Sequence, residues 1–263
     1  MGLHLNCRIR SLQSIHNQRR ALEALADPNC GWFYRRDADS FKQIPGNPIA
    51  YWASDAFADS FATGASIGML GDHTGSQLKT GDNGKYIRFV WEVNCDSVGK
   101  ERKWVPCAKG GEYRRWYGNL SNIVNMGNGA IAFYQTNSTS NLLAKKYWYA
   151  KGIAYTKISS GISNFRYYPA IGVFETAGPV ISHLGDNLYS ILGLLNSSVA
   201  TEMLSIMNPT LNMQAKDIKA LPVAPTVLER NDISDLAHES TLLSKADYDS
   251  FETSWDFKRN PLV

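Results

Sequence analysis

The stretch Leu78-Lys79-Thr80-Gly81-Asp82-Asn83-Gly84-Lys85-Tyr86-Ile87-Arg88-Phe89-Val90-Trp91-Glu92-Val93 decides how this chain is read. Thr80 to Gly84 has the composition of a tight turn, where Asp and Asn bond their own backbone and glycine supplies positive φ. Behind it, Ile87, Phe89, Trp91 and Val93 alternate with Tyr86, Arg88, Val90 and Glu92, the period of a half-buried strand. Phe89 and Trp91 are therefore expected in the core, with Arg88 and Glu92 on the open face. Downstream stands Lys109-Gly110-Gly111-Glu112-Tyr113-Arg114-Arg115-Trp116-Tyr117-Gly118-Asn119. Lys100, Arg102, Lys103, Lys109, Arg114 and Arg115 are opposed there only by Glu101 and Glu112.

That local basic patch is hidden in the whole chain, whose formal net charge is +3 over 263 residues. A cationic surface must therefore be local. The hydrophobic share of 44% and the charged share of 19% are those of a globular chain long enough for one sizeable domain. Cys7, Cys30, Cys95 and Cys107 form no Cys-x-x-Cys pair, so buried reduced thiols in a cytoplasmic protein are expected. The first ten residues lack the apolar run of a signal peptide. Leu188 to Ile206 is interrupted by Gly193, Asn196 and Glu202, which predicts a buried or amphipathic helix and no membrane span.

Helical spacing predicts a lead helix over Arg8–Ala26, stopped at Asp27-Pro28-Asn29. Asn47 as N-cap and Pro48 as first helical residue predict a helix from Pro48 to about Phe61, terminated by Gly64. Further elements are expected at Phe165–Tyr168 (strand), at Ile171–Phe174 with Val180-Ile181 (a strand pair), and at Asp186–Met207 (helix). Ser159-Ser160-Gly161 and Asp217–Pro222 are expected as turns, and Ile233–Ala246 as the last helix.

Most enzymatic chemistries lack their residues. His4, His16, His73, His183 and His238 are scattered without ligand spacing, so no metal site is expected. Glu101-Arg102-Lys103 and Asp217-Ile218-Lys219 have the acid-x-Lys form of a nuclease, but no upstream Pro-Asp accompanies them. Asn47-Pro48-Ile49-Ala50 lacks the second proline and the aromatic residue of an adenine methyltransferase motif. No Gly-x-Ser-x-Gly elbow is present. Two readings of residues 77–119 stand side by side on composition: a nucleic-acid surface, or tryptophans in a core with a solvated cationic rim.

The order of motifs adds a resemblance. Ile44-Pro45-Gly46-Asn47-Pro48-Ile49-Ala50-Tyr51-Trp52, Leu78–Asn83, Arg88–Val93 and Lys109–Asn119 resemble the C-terminal part of PglX-type adenine-specific DNA methyltransferases of BREX phage defence. Related single-chain restriction-modification enzymes share it. Phe174-Glu175-Thr176-Ala177-Gly178, Leu192–Ser197, Asn208–Asn212 and Asp217–Pro222 continue it in the same order. Ala154-Tyr155-Thr156 and Val105-Pro106-Cys107-Ala108 depart from it.

The resemblance implies an α+β, mixed-sheet target recognition domain over residues 44–222, between a helical lead (1–43) and a C-terminal helical segment (223–263). It implies sequence-specific binding of double-stranded DNA beside a methyltransferase domain or subunit. S-adenosylmethionine would belong to that missing part, with no cofactor in this chain. On side-chain chemistry, Lys79, Lys109, Gly110, Gly111, Arg114 and Arg115 are the candidates for holding phosphates. Asp82, Asn83, Arg88, Asn119 and Arg166 are the candidates for reading bases. The alternative is a protein-interaction or scaffold module, or a methyltransferase-binding mimic, carried by the terminal helices.

Overall fold

A computed structural model describes residues 3–5, 14–35, 37–74, 76–158, 164–208, 210, 212–260 and 262. The chain divides into two compact units, residues 1–64 and 65–263. Cys7, the Arg8–Gln13 part of the expected lead helix, the Ser159-Ser160-Gly161 turn and Pro209 lie outside the described residues. Of the described cysteines only Cys107 is buried as expected; Cys30 is half-buried and Cys95 exposed.

In the first unit, strands β1 (Leu3–Leu5) and β2 (Phe33–Arg35) pair antiparallel around helix α1 (Ser14–Ala26). The Trp32 indole N–H donates to the Arg20 carbonyl at 3.1 Å, and the Arg20 guanidinium lies 5.5 Å from that ring's centroid. Helix α2 (Asp55–Thr63) begins seven residues later than the Asn47-Pro48 reading places it. Ser54 is the cap, its hydroxyl accepting the Phe57 N–H at 3.2 Å, while Asn47 takes a left-handed φ of 49°. Gly64 ends the helix as expected.

The second unit is α+β. It opens with β3 (Ala65–Ser66), α3 (Ile67–Leu70), β4 (Asp72–His73), α4 (Asn83–Tyr86) and β5 (Ile87–Phe89). Then come β6 (Trp104–Ala108), β7 (Asn122–Asn125), α5 (Asn128–Thr136), β8 (Gly152–Ala154) and β9 (Arg166–Tyr168). Next are β10 (Val173–Phe174), β11 (Val180–Ser182), α6 (Leu188–Leu195), α7 (Ser198–Met207) and α8 (Ala215–Ala220). β12 (Pro222–Val223), α9 (Pro225–Glu229) and α10 (Asn231–Asp249) complete it. One sheet runs β10-β6-β7-β5 and a second β4-β11-β8-β9, while β12 pairs with β3.

The second unit buries two cores, and the second sheet contributes to both: Ala154, Tyr168 and Val180 join the first core, Ile153 and Ile181 the second. In the first core, α5 brings Tyr134, and Leu78, Val105, Val124, Leu143, Tyr168 and Phe174 close the layer. In the second, α6 and α8 bring Ile191, Leu192, Leu195 and Ile218 onto Ile153, Tyr155, Phe165 and Ile181. Such burial is worth roughly 1.5–3 kcal/mol per large apolar side chain.

In the second unit four expectations change. β10 pairs parallel with β6 (Val173↔Cys107), and β11 pairs with β8 and β4, so the expected strand pair is split between two sheets. The helix expected over Asp186–Met207 bends by 77° between α6 and α7. Asn196 causes the break. Its amide bonds both the N–H (3.2 Å) and the carbonyl (2.9 Å) of Phe165, and Ser197 then caps α7 through the Ala200 N–H. The segment leading to Pro222 is helical (α8) rather than a turn. The strand expected to bury Phe89 and Trp91 ends at Phe89, as described below. Among the described residues, no single helix is long and apolar enough to cross a membrane.

Sheet closure rests on missing side chains. A Cβ on Gly152 would stand 2.1 Å from the Ile181 carbonyl oxygen on the partner strand. Gly152→Ala is expected to cost about 3 kcal/mol, the upper end of overpacking. Gly129→Ala in α5 meets nothing within 4 Å, and is expected to be neutral or stabilising, by up to about 1 kcal/mol. Equal urea midpoints for Gly152→Ala and the unsubstituted chain would contradict the β8–β11 register.

Candidate nucleic-acid interface

The turn at Thr80–Gly84 is built from its own polar groups. Asp82 accepts the Lys85 N–H at 3.0 Å and caps α4, while the Thr80 hydroxyl donates to Asn83 Oδ1 at 2.6 Å. Gly81 has φ +73°, and a Cβ there would meet the Ser140 hydroxyl at 2.5 Å. Lys79 and Asn141 exchange backbone hydrogen bonds of 2.9 Å in both directions, which braces the turn from the side. Asp82 and Asn83 remain exposed. Arg88 donates to the carbonyls of Gly84 and Ile87, so its guanidinium folds back onto its own turn.

After Phe89 the strand gives way to a 3-10 turn over Val90–Glu92. The Glu92 carboxylate accepts the Phe89 N–H at 2.6 Å and fixes that turn. Phe89 and Trp91 consequently stack on each other outside the core, centroids 4.7 Å apart and rings within 3° of parallel. They are 44% and 52% exposed. The expectation that they are buried is corrected: the alternation continues in sequence, but the backbone turns away from the sheet.

The Gly-Gly loop is tightly placed. Gly110 has φ +84° and is buried, and a Cβ there would lie 2.7 Å from the Ala177 carbonyl oxygen. A Cβ on Gly178 would lie 2.4 Å from the Gly110 nitrogen. Glycine is needed on both segments so that two backbones can cross. Gly110 therefore faces Ala177, while Gly111, at φ +131°, is exposed. The Asn119 amide donates to the Glu112 carbonyl at 2.8 Å and closes the loop.

Sequence reasoning missed the part played by α10. The Arg114 guanidinium lies 5.3 Å from the Tyr248 ring centroid and 3.6 Å from an Asp247 oxygen. The Leu120 N–H donates to the Tyr248 hydroxyl at 3.1 Å. Lys245 sits 5.1 Å from the Tyr117 ring centroid and pairs with Asp249 and, at 2.7 Å, with Asp256. The α10 partners of Arg114, Tyr117 and Leu120 are more than a hundred residues away in sequence, and no local pattern announces them.

Arg166 is placed differently from its expected base-reading role. It is 2% exposed and donates to the Asn164 carbonyl (2.9 Å), the Thr156 hydroxyl (3.2 Å) and the Arg114 carbonyl (3.4 Å). Burial lowers its pKa to about 10, which still leaves it charged at neutral pH. It is a strut beneath the basic loop and does not face solvent. Lys79 is exposed, and Lys109 and Arg115 are half-buried.

Two cavities flank this surface. One, of 360 Å³, has walls that include Pro106, Tyr117, Ile123, Tyr149, Tyr248 and Trp255. The other, of 480 Å³, is a mixed polar and apolar cleft beside the Gly110 crossing, with Tyr155, Pro179 and Met213 among its walls. The Tyr155 hydroxyl bonds His73 Nε2 at 2.9 Å, and the buried His73 Nδ1 finds no partner among the described residues. Burial, helped by the Lys219 charge, lowers the His73 pKa from 6.5 to about 4. Among the described residues, no group of three or more His, Cys, Asp or Glu is placed to hold a metal ion.

Fold and surface thus define an α+β unit whose basic, glycine-braced loop is pinned by a C-terminal helix. Comparison with known proteins gives relatives for it. The chain is 36% identical over 233 residues to the adenine-specific methyltransferase BrxX of Escherichia coli O9:H4 (strain HS), covering 86% of this chain. It is 30% identical over 270 residues to the adenine-specific methyltransferase PglX of Lacticaseibacillus casei (strain Zhang), covering 94% of this chain. It spans only 19% and 22% of those two proteins, about a fifth of their length. No family model matches the chain.

Two outcomes are expected here. Tyr248→Phe removes the acceptor of the Leu120 N–H and should lower stability by about 1–2 kcal/mol in urea unfolding. An unchanged midpoint would remove that bond from the account. His73 predicts an acid-sensitive fold. Its folded pKa lies below the unfolded value, so the unfolded state binds more protons between pH 6.5 and about 4. The His73 contribution to stability should fall across that window as pH falls, by at most about 3 kcal/mol, and level off below it. His73→Gln should flatten this slope, and an identical pH profile for the variant would contradict the assignment.

Proposed function

We propose that this chain is a duplex-DNA recognition module that works with an adenine-specific methyltransferase in phage defence. The observation that carries the reading is its likeness, over nearly its whole length, to a fifth of two adenine-specific methyltransferases. The basic loop supports it. Lys79, Lys109 and Arg115 hold phosphates and release counterions. Exposed Asp82 and Asn83 face base edges. Gly110, Gly111, Arg88, Arg114, Asn119 and Arg166 shape the surface through the bonds described above.

In this reading S-adenosylmethionine and the methyl transfer belong to the partner, which flips the adenine out of the stack. The module acts in the cytoplasm, where that DNA is. Lys79→Ala with Lys109→Ala should weaken duplex binding and reduce the slope of log affinity against log salt by about 0.9 for each phosphate no longer neutralised. An unchanged slope removes both residues from the interface. Methyl transfer by the purified chain alone would overturn the division of labour.

A second reading has one specific observation behind it. Leu236, Leu242 and Leu243 of α10 are 62%, 53% and 67% exposed. In that version α10 docks a protein. Leu236→Glu with Leu243→Glu would then abolish capture of the methyltransferase while leaving DNA binding intact.

A further inference from the structure

The 480 Å³ cleft lies within the roughly 300–1,000 Å³ range of ligand clefts, and its chemistry differs from that of the aromatic cavity. Its walls carry Gln77, Lys157, Thr176, Asn212, Gln214 and Lys216. Among the described lining residues there is no carboxylate. Asn212, Gln214 and Lys216 are exposed, and the buried Gln77 has its amide anchored to the Thr74 carbonyl.

The walls are held by backbone. The Lys157 N–H donates to the Ala177 carbonyl at 3.1 Å, and the Met213 N–H to the Lys157 carbonyl at 2.8 Å. Ala177 is also the residue that Gly110 crosses, and a Cβ on Gly110 would touch Thr156 at 3.4 Å. The cleft therefore shares a ledge, Thr156-Lys157 and Thr176-Ala177, with the basic Lys109-Gly110 loop. Amides offer a donor and an acceptor side by side, the pattern that fits adenine N6 and N7, while lysines meet phosphates as point charges. Tyr155, Pro179, Met213 and Ala215 complete the walls, so the cleft is apolar as well as polar. A polyanion carrying base edges finds both amides and lysines.

We propose that this cleft determines sequence preference: Asn212 and Gln214 contact base edges of one DNA strand, and Lys157 and Lys216 hold its flanking phosphates. The assignment rests on the DNA-binding reading above and adds residues that the sequence alone did not single out. It makes the cleft and the basic loop two ends of a single footprint.

The test is selection from a randomised duplex pool by the full chain and its variants, with salt-dependent affinity measured on the enriched duplex and on a scrambled one. Asn212→Ala and Gln214→Ala should each relax the preference at one base pair by about tenfold and leave affinity for the scrambled duplex within about twofold. Lys157→Ala and Lys216→Ala should weaken both duplexes alike and reduce the salt slope by about 1 each. Circular dichroism confirms folding of each variant. If the native chain enriches a motif that all four variants reproduce with native salt slopes, the cleft is not the reader and this inference fails alone. If the native chain shows no salt-dependent duplex binding, the DNA reading fails and takes this inference with it.

Discussion

The second unit depends on one close approach, where the backbone at Ala108–Gly111 crosses that at Glu175–Gly178. The Glu175 N–H donates to the Ala108 carbonyl at 2.9 Å, continuing the parallel β6–β10 pairing. Immediately afterwards the chain leaves the first sheet and enters the second as β11. Side chains on Gly110 or Gly178 would force the two backbones apart. The same crossing positions Lys109 at the surface and sets the ledge on which the 480 Å³ cleft is built. Fold and candidate interface are therefore fixed by one steric condition.

Around that crossing, buried charge acts as a brace. Arg166 links the carbonyls of Asn164 and Arg114 and the hydroxyl of Thr156. A buried guanidinium is costly to desolvate and is tolerated when its N–H groups are bonded. Here two of its nitrogens are, and Nε finds no partner among the described residues. Arg114 gains a second hold from Tyr248 and Asp247 on α10. The C-terminal helix thus belongs to the architecture of the basic loop, besides packing on α6.

Much of this was legible in the sequence, and the failures have physical causes. The basic segment Lys109–Asn119, the Gly64 stop, the strand at Arg166 and the last helix follow from composition and period. The period of 2 at residues 86–93 misleads because Glu92 caps a turn at Phe89 and swings Trp91 outward. Asn47-Pro48 and Ser54 both have the form of a helix start, and only the packed chain chooses Ser54. Asn196 breaks the α6–α7 helix because Phe165, thirty-one residues away, binds its amide. The site residues divide in the same manner. Cations are visible by type, but whether a given arginine faces solvent or a carbonyl depends on partners far along the chain. The 480 Å³ cleft gathers residues from four separate segments, near 77, 155–157, 176–179 and 212–216, and no spacing in the sequence joins them.

The central claim is that residues on both sides of the Gly110 crossing form one DNA-facing surface. Backbone amide hydrogen exchange of the full chain, with and without duplex DNA, tests it most directly. Protection is expected at residues 79–83, 109–115, 156–158 and 212–216 together, with the outer face of α10 unchanged. Protection confined to α10, with those four segments exchanging as in the free chain, would contradict it.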